Sequence, residues 1–163
     1  MSLVVRSFAG FAIASVVASA AGAQGIITQK NITLGLAQTI ANEAIAHCRG
    51  MGYKVSVTVV DREGLAVVMM RDDGAGLHTP EGSDRKAYTA RTFGQPSANF
   101  VKRLQERPDT VGSRQYTRVL ALAGGLPIKA GDEIVGAVGV SGTPGRDDEC
   151  SRAGIDKVAD QLK

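Results

Sequence analysis

Apolar residues recur at helical spacing in the region after residue 30. Between residues 31 and 49, small or apolar side chains recur every four positions, at Leu36, Ile40, Ala44 and Cys48. This spacing places the four side chains on one face of a helix. Gly50 and Gly52 follow, and glycine commonly ends a helix because it adopts backbone angles that other residues avoid. The pattern predicts a helix over residues 31–49 with one buried face.

Alternation replaces helical spacing in the next segment. Within residues 54–60, valine alternates with serine or threonine, as expected of a strand with one buried face. A polar turn at residues 61–64 follows, and residues 65–70 are apolar or small at every position. We expect the two strands to form an antiparallel hairpin, with the second strand in the more central or more fully covered position.

The rest of the chain predicts three more helices and a second hairpin. Thr79, Pro80 and Glu81 are typical of a helix start, with a capping hydroxyl, an early proline and a carboxylate in the first turn. The expected elements are a helix over 79–93, a helix over 97–107, irregular chain over 109–118, strands over 120–128 and 133–140, and a helix over 147–162.

The element order, α-β-β-α-α-β-β-α, indicates the fold class. Strands joined by tight turns pair antiparallel, whereas parallel neighbours need a long crossover connection. We therefore predict an α+β fold in which helices flank an antiparallel sheet. With 163 residues, of which 44% are hydrophobic, the chain has the size of one globular domain.

The first 23 residues predict a signal peptide. Arg6 precedes an apolar run at residues 8–17, and the small residues Ala21, Gly22 and Ala23 resemble a cleavage site. The run is too short for a membrane-spanning helix, although an uncleaved anchor is the alternative. We expect a mature domain over residues 24–163, periplasmic or secreted, with no integral membrane segment.

Charge and aromatic content argue against a nucleic-acid partner. The chain has 19 basic and 16 acidic residues, which interleave, and it has no tryptophan. Nucleic-acid binding uses a strong basic field or a basic stripe with stacking aromatics.

In an oxidising compartment, Cys48 and Cys150 either form one disulfide or remain two isolated buried thiols, and the sequence leaves both open.

Five strings in fixed order resemble one known family, the GlcG/HbpS family, which is related to the PduO C-terminal domain. The strings are VTVVDREG at 57–64, RDDGA at 71–75, RKAYTA at 85–90, AGGLPI at 123–128 and VGAVGVSG at 135–142. The resemblance implies a profilin-like fold, a haem ligand and self-assembly into a homo-oligomer. The family also includes corrinoid-associated domains and proteins of unknown role, so the shared fold alone does not define the function.

His78 is the first candidate for an iron ligand. The chain lacks a CxxCH motif, so any haem would be bound noncovalently. His78 precedes a predicted helix start, whose positive end disfavours a charged imidazole and leaves a nitrogen available to a metal. Thr79 would lie beside the iron. A solvated loop histidine is the alternative, and we expect the other histidine, His47, to be structural.

The following helix supplies the other candidate haem-binding residues. Ser83 and Lys86 share a helix face with Ala87 and Ala90, and Lys86 would pair with a haem propionate. Tyr88 points elsewhere and either ligates iron or, as we prefer, packs against the protein.

Acidic residues suggest two further features. Asp72, Asp73, Glu81 and Asp84 either gather around a hard cation or, as we prefer, form a charged loop and helix start. Asp147 and Asp148 are expected to cap the last helix and to repel an anion there.

These observations lead to one hypothesis and two alternatives. The hypothesis is an exported haem-binding protein that senses or sequesters haem. The alternatives are a small-molecule enzyme, such as a haem-degrading protein that uses Lys86 and nearby acids for proton transfer, and a noncatalytic oligomeric assembly module.

Overall fold

Four strands form one antiparallel sheet in the computed structural model, which describes residues 25–163. The strands are β1 (Ser56–Val60), β2 (Ala66–Arg71), β3 (Gly125–Ala130) and β4 (Glu133–Ser141). Their order across the sheet is β2-β1-β4-β3, and each neighbouring pair is antiparallel. The predicted α+β class with an antiparallel sheet is confirmed.

Helices cover both faces of this sheet. They are α1 (Leu34–Gly50), α2 (Thr79–Phe93), α3 (Ser97–Glu106) and α4 (Asp147–Asp156). The first and last helices contact each other and pack on one face, while α2 packs on the other face and contacts α3. The predicted element order is therefore confirmed. Within residues 25–163, no helix combines the length and apolarity needed to cross a membrane. The predicted signal peptide lies outside the described residues.

The two faces of the sheet are packed differently. Toward α1 and α4, the sheet buries a large apolar core of branched side chains that includes Ile40, Val57 and Val138. Toward α2, the buried cluster is small and rich in alanine. A Cβ atom on Gly139 would overlap the Ser83 carbonyl oxygen of α2. The packing of α2 on the sheet therefore depends more on close approach of the two backbones than on the burial of large apolar side chains.

The predicted roles of the first two strands are wrong. Every residue of β1 is buried, and this strand is central, whereas β2 lies at the edge and leaves Met69 49% exposed. The polar face of β1 is buried because the hydroxyls of Ser56 and Thr58 bond to hydroxyls of α2, each at 2.8 Å. Alternating polarity suggested solvent on that face, but paired hydroxyls can be buried at little cost.

Three other expectations about boundaries are corrected. The last helix ends at Asp156, and a separate 3-10 helix covers Ala159–Leu162. The region expected to be irregular contains a 3-10 helix at Pro108–Gln115. The third strand begins at Gly125 because residues 120–124 bond to side chains of the helices: Ser97 Oγ, for example, donates to the Leu122 carbonyl at 2.7 Å.

A disulfide between Cys48 and Cys150 joins the last turn of α1 to α4. The two Cα atoms are 5.6 Å apart, and both residues are fully buried. Of the two alternatives that the sequence left open, the structure has the disulfide. The bond closes a loop with a sequence separation of 102 residues, so it strongly restricts the unfolded chain.

Removing the disulfide is expected to destabilise the protein without changing its fold. The double substitution Cys48→Ser with Cys150→Ser should lower the free energy of unfolding by roughly 2–5 kcal/mol, the range for native disulfides. Urea unfolding followed by circular dichroism measures the difference. Addition of a reductant should destabilise the unmodified protein and leave the double variant unchanged. Equal stability of the two proteins would contradict the assignment.

Candidate functional site

Four chain segments meet at one end of the sheet and enclose a cavity. Ser56 at the start of β1 pairs with Arg71 at the end of β2 and with Ser141 at the end of β4. The loops that follow or precede these residues therefore lie side by side. Together with the start of α2, they line a cavity of about 690 Å³. Small-molecule sites commonly have volumes of roughly 300–1,000 Å³.

The structure places His78 and Thr79 on the wall of this cavity. His78 is exposed and occupies the N-cap position of α2, and its ring lies against Gly76, where an added Cβ would be 3.0 Å from Cε1. Thr79 does not cap the helix as expected. Its buried hydroxyl donates to the Gly76 carbonyl at 2.7 Å and lies 2.8 Å from the Ser56 hydroxyl. Thr79 thus fixes the loop that carries His78.

Lys86 also lines the cavity, but its charge is already balanced. Its Nζ donates to Asp147 Oδ2 at 2.7 Å and to the Val140 carbonyl at 3.2 Å, and both charged side chains are at least nine-tenths buried. The sequence suggested that Lys86 would pair with a propionate. The structure instead gives it a partner within the chain, so the pair forms a neutral part of the wall.

The two aspartates at the start of α4 hold neighbouring loops and do not cap the helix. Asp147 Oδ1 accepts hydrogen bonds from the amide and the hydroxyl of Thr143 at 2.9 and 3.0 Å. Asp148 accepts from the Gly124 amide at 2.9 Å. Partial burial raises the pKa of Asp148 above its usual value, and the neighbouring Asp147 carboxylate adds to the increase. The expectation that both side chains cap this helix is wrong.

Lys54 is a cavity residue that the sequence did not single out. It lies just before β1, and its side chain is 55% exposed. The adjacent Asp72 carboxylate is buried and accepts two hydrogen bonds from Arg49, at 3.0 and 2.6 Å, which hold the pKa of Asp72 below its usual value. The sequence did indicate that Lys54 lies at the start of a strand. Only the strand order shows which loops lie at the same end of the sheet and therefore which residues share the cavity.

Apolar residues also line the cavity. Leu122, Ala123 and Pro144 lie on its wall, and Leu122 is exposed. The sequence had placed the first two residues in a strand, where alternate side chains point to opposite faces. Because they belong to a loop, both can border the cavity. Glycines complete the lining, namely Gly74, Gly76, Gly142 and Gly145.

Ser83, Tyr88 and His47 lie outside the lining. Ser83 shares the buried face of α2 with Lys86, as expected, but its hydroxyl bonds to Thr58 and to the Pro80 carbonyl. The Tyr88 ring packs against the guanidinium of Arg118, 4.2 Å from the ring centroid. This contact agrees with the packing alternative. His47 is exposed on the last turn of α1.

Two members of the predicted acidic cluster, Asp84 and Glu81, bind separate arginines. Asp84 accepts from Arg118 at 2.8 Å, and Glu81 from Arg85 at 2.9 Å. In the part of the chain that the structure describes, no group of three or more histidine, cysteine, aspartate or glutamate side chains is arranged to hold a metal ion.

A family model described as haem degrading protein HbpS-like matches residues 32–156. The chain belongs to the HbpS-like family. A crystal structure of a double mutant of HbpS from Streptomyces reticuli is 34% identical, with a TM-score of 0.78 over 87% of this chain and 97% of that chain. The family resemblance and the fold that it implied are confirmed.

Two other relatives extend this comparison. An uncharacterised 15.0 kDa protein of Citrobacter freundii, from the dhaT-dhaS intergenic region, is 32% identical over 113 residues, covering 68% of this chain and 80% of that protein. A crystal structure titled as a PduOC:heme complex is 20% identical and has a TM-score of 0.71 over 78% of this chain and 94% of that chain. At this identity, the second comparison shows a shared fold.

Removing one charge of the buried ion pair is expected to destabilise the protein more than removing both charges. Lys86→Met and Asp147→Asn should each lower the free energy of unfolding by roughly 3–5 kcal/mol, because each leaves a buried charge without its partner. The double variant should lose less than the sum of the two single losses. A double-mutant cycle by chemical unfolding measures this coupling. Additive losses would show that the two charges are already separately solvated.

Proposed function

We propose that this protein binds haem noncovalently in the cavity at the end of the sheet, with His78 as the iron ligand. The observation that carries the proposal is the position of His78 on the wall of a ligand-sized cavity. The HbpS-like family model and the fold shared with a heme complex support the choice of haem.

The chemistry of the cavity residues fits haem. A haem site commonly offers a donor atom for iron, apolar surface for the porphyrin and cations for the propionates. His78, Leu122 and Lys54 offer these three functions around one cavity. When bound, haem would supply a redox-active iron. The protein would orient it and limit its contact with water.

Export and a role in haem sensing or sequestration belong to the same proposal. The signal-like sequence of residues 1–23 supports export, as does the disulfide, because disulfides persist in oxidising compartments. Mass spectrometry of the protein from periplasmic and culture fractions should find a chain that starts at Gln24. A full-length chain in the cytoplasm would contradict this part.

We also propose that the protein self-assembles through the edge strand β2. Leu65, just before the strand, is 61% exposed, and Met69 within it is 49% exposed, so the edge offers unpaired backbone groups beside apolar side chains. Light scattering should report a mass above that of one chain, and Met69→Lys should reduce it. A monomer at micromolar concentration would contradict self-assembly.

Haem breakdown is a second candidate function, favoured by the description of the matching family model. Incubation of the haem-loaded protein with ascorbate and dioxygen tests it, since breakdown would bleach the Soret band and release iron. An intact spectrum would exclude this activity and leave haem binding unaffected.

A native mass spectrum showing an oligomer that takes up no haem would instead support the assembly module.

The haem proposal makes His78 the residue to test first. Haemin titrated into residues 24–163 should give a saturable Soret shift. His78→Ala should change the position of the band and weaken binding about tenfold, the effect of losing roughly 1.4 kcal/mol of ligand bonding. His47→Ala is the matched control, since His47 is exposed outside the cavity lining. No shift with the unmodified protein would overturn the proposal, whereas an unchanged His78→Ala spectrum would overturn only the ligand assignment.

A further inference from the structure

One cation that lines the cavity, Lys54, has no hydrogen-bonded carboxylate partner among residues 25–163. Lys86 and Asp147 neutralise each other at 2.7 Å, and both oxygens of Asp147 are occupied. Lys54 differs, because its only carboxylate neighbour within 4.0 Å among residues 25–163 is Asp72, at 3.8 Å. This distance is longer than a hydrogen bond.

The Asp72 carboxylate makes its side-chain hydrogen bonds to Arg49 and not to Lys54. Its two oxygens accept hydrogen bonds from Nε and Nη2 of Arg49, which forms a two-point contact. Arginine and carboxylate in this geometry satisfy each other strongly. Asp73 also lies close enough to Arg49 to interact with it electrostatically, and Lys54 is the member of this group that lines the cavity.

The strand order gives this charge a defined position. Across the sheet end, the order is β2, β1, β4 and β3, so Lys54 before β1 lies near one side and Leu122 before β3 lies at the other. Two strand spacings of about 4.8 Å separate β1 from β3. The cavity thus has a cationic side and an apolar side, about 10 Å apart by that spacing.

Two helices begin at the cavity, and they differ in the charges of their first turns. Both α2 and α4 begin at the cavity, where His78, Thr79 and Asp147 line it, and the amino-terminal end of a helix carries partial positive charge. The first turn of α4 also contains three carboxylates, those of Asp147, Asp148 and Glu149, of which Asp147 is paired with Lys86 and Glu149 with Arg146. The features of the cavity that favour an anion are therefore Lys54 and the start of α2.

We infer that the cavity selects amphipathic carboxylates, and that Lys54 binds the carboxylate group while Leu122 and Ala123 contact the apolar body. This inference rests on the proposed function in the case of haem, whose propionates lie on one edge and whose opposite edge is apolar. The inference makes Lys54 the residue that pairs with a propionate, whereas the sequence suggested Lys86 for this role. Recognition of the acid does not require iron, which separates it from the role of His78.

Metal-free protoporphyrin IX and its dimethyl ester test the inference. The unmodified protein should bind the free acid more tightly than the ester, and Lys54→Met should weaken binding of the acid about tenfold, as expected for loss of one charge-assisted hydrogen bond. Lys54→Arg should retain most of the affinity. Lys129→Met, which removes an exposed lysine of β3 outside the cavity lining, should have no effect. Binding is followed by fluorescence of the porphyrin, with thermal unfolding to check that each variant is folded.

The outcomes separate this inference from the haem proposal. Equal affinity of Lys54→Met and the unmodified protein for the free acid, or equal affinity for acid and ester, would overturn the role of Lys54 even if haemin binds. If no porphyrin binds, the same variants are titrated with dodecanoate. Binding of dodecanoate that weakens in Lys54→Met would support the inference and reject haem, and failure of both ligands would reject both.

Discussion

The close approach of α2 to the sheet is the constraint on which the candidate site depends. Gly125 and Gly139 allow it, because a Cβ at either position would overlap a carbonyl oxygen of the helix. Two hydroxyl pairs then join the helix to β1, Ser56 with Thr79 and Thr58 with Ser83. These contacts set the position of the helix along the sheet. They therefore also place His78, which precedes the helix, at the end of the sheet where the cavity lies.

The last turn of α1, on the other face of the sheet, makes two contacts that hold segments of the candidate site. Cys48 bonds covalently to α4, and the adjacent Arg49 binds the buried carboxylate of Asp72. The first contact holds the helix that begins at the cavity, and the second holds the loop that leads to His78. Two neighbouring residues thus hold two of the segments that form the candidate site, although neither of them lines it.

The buried ion pair in the cavity wall is compatible with a binding protein. Buried charges are tolerated where each has a partner, and Lys86 with Asp147 meets this condition. The remaining cation, Lys54, lies at a half-exposed position where its own desolvation is small. Such an arrangement lets the protein keep a stable site and still present one charge to an anionic ligand. The fold alone would not specify this, since related sheets carry different sites.

Local patterns in the sequence determined the element types, the antiparallel hairpins and the family, because helical and alternating spacing and short motifs depend on neighbouring residues. They also identified His78, Thr79 and Lys86 as candidates. The tertiary structure alone decided that β1 is central, that Cys48 meets Cys150, and that Lys86 is hydrogen-bonded to Asp147 while Lys54 lies 3.8 Å from a carboxylate bound by Arg49. Each of these facts depends on contacts between residues distant in the chain. Polarity along a sequence does not encode them, because a buried hydroxyl or charge is recognised only when its partner is known.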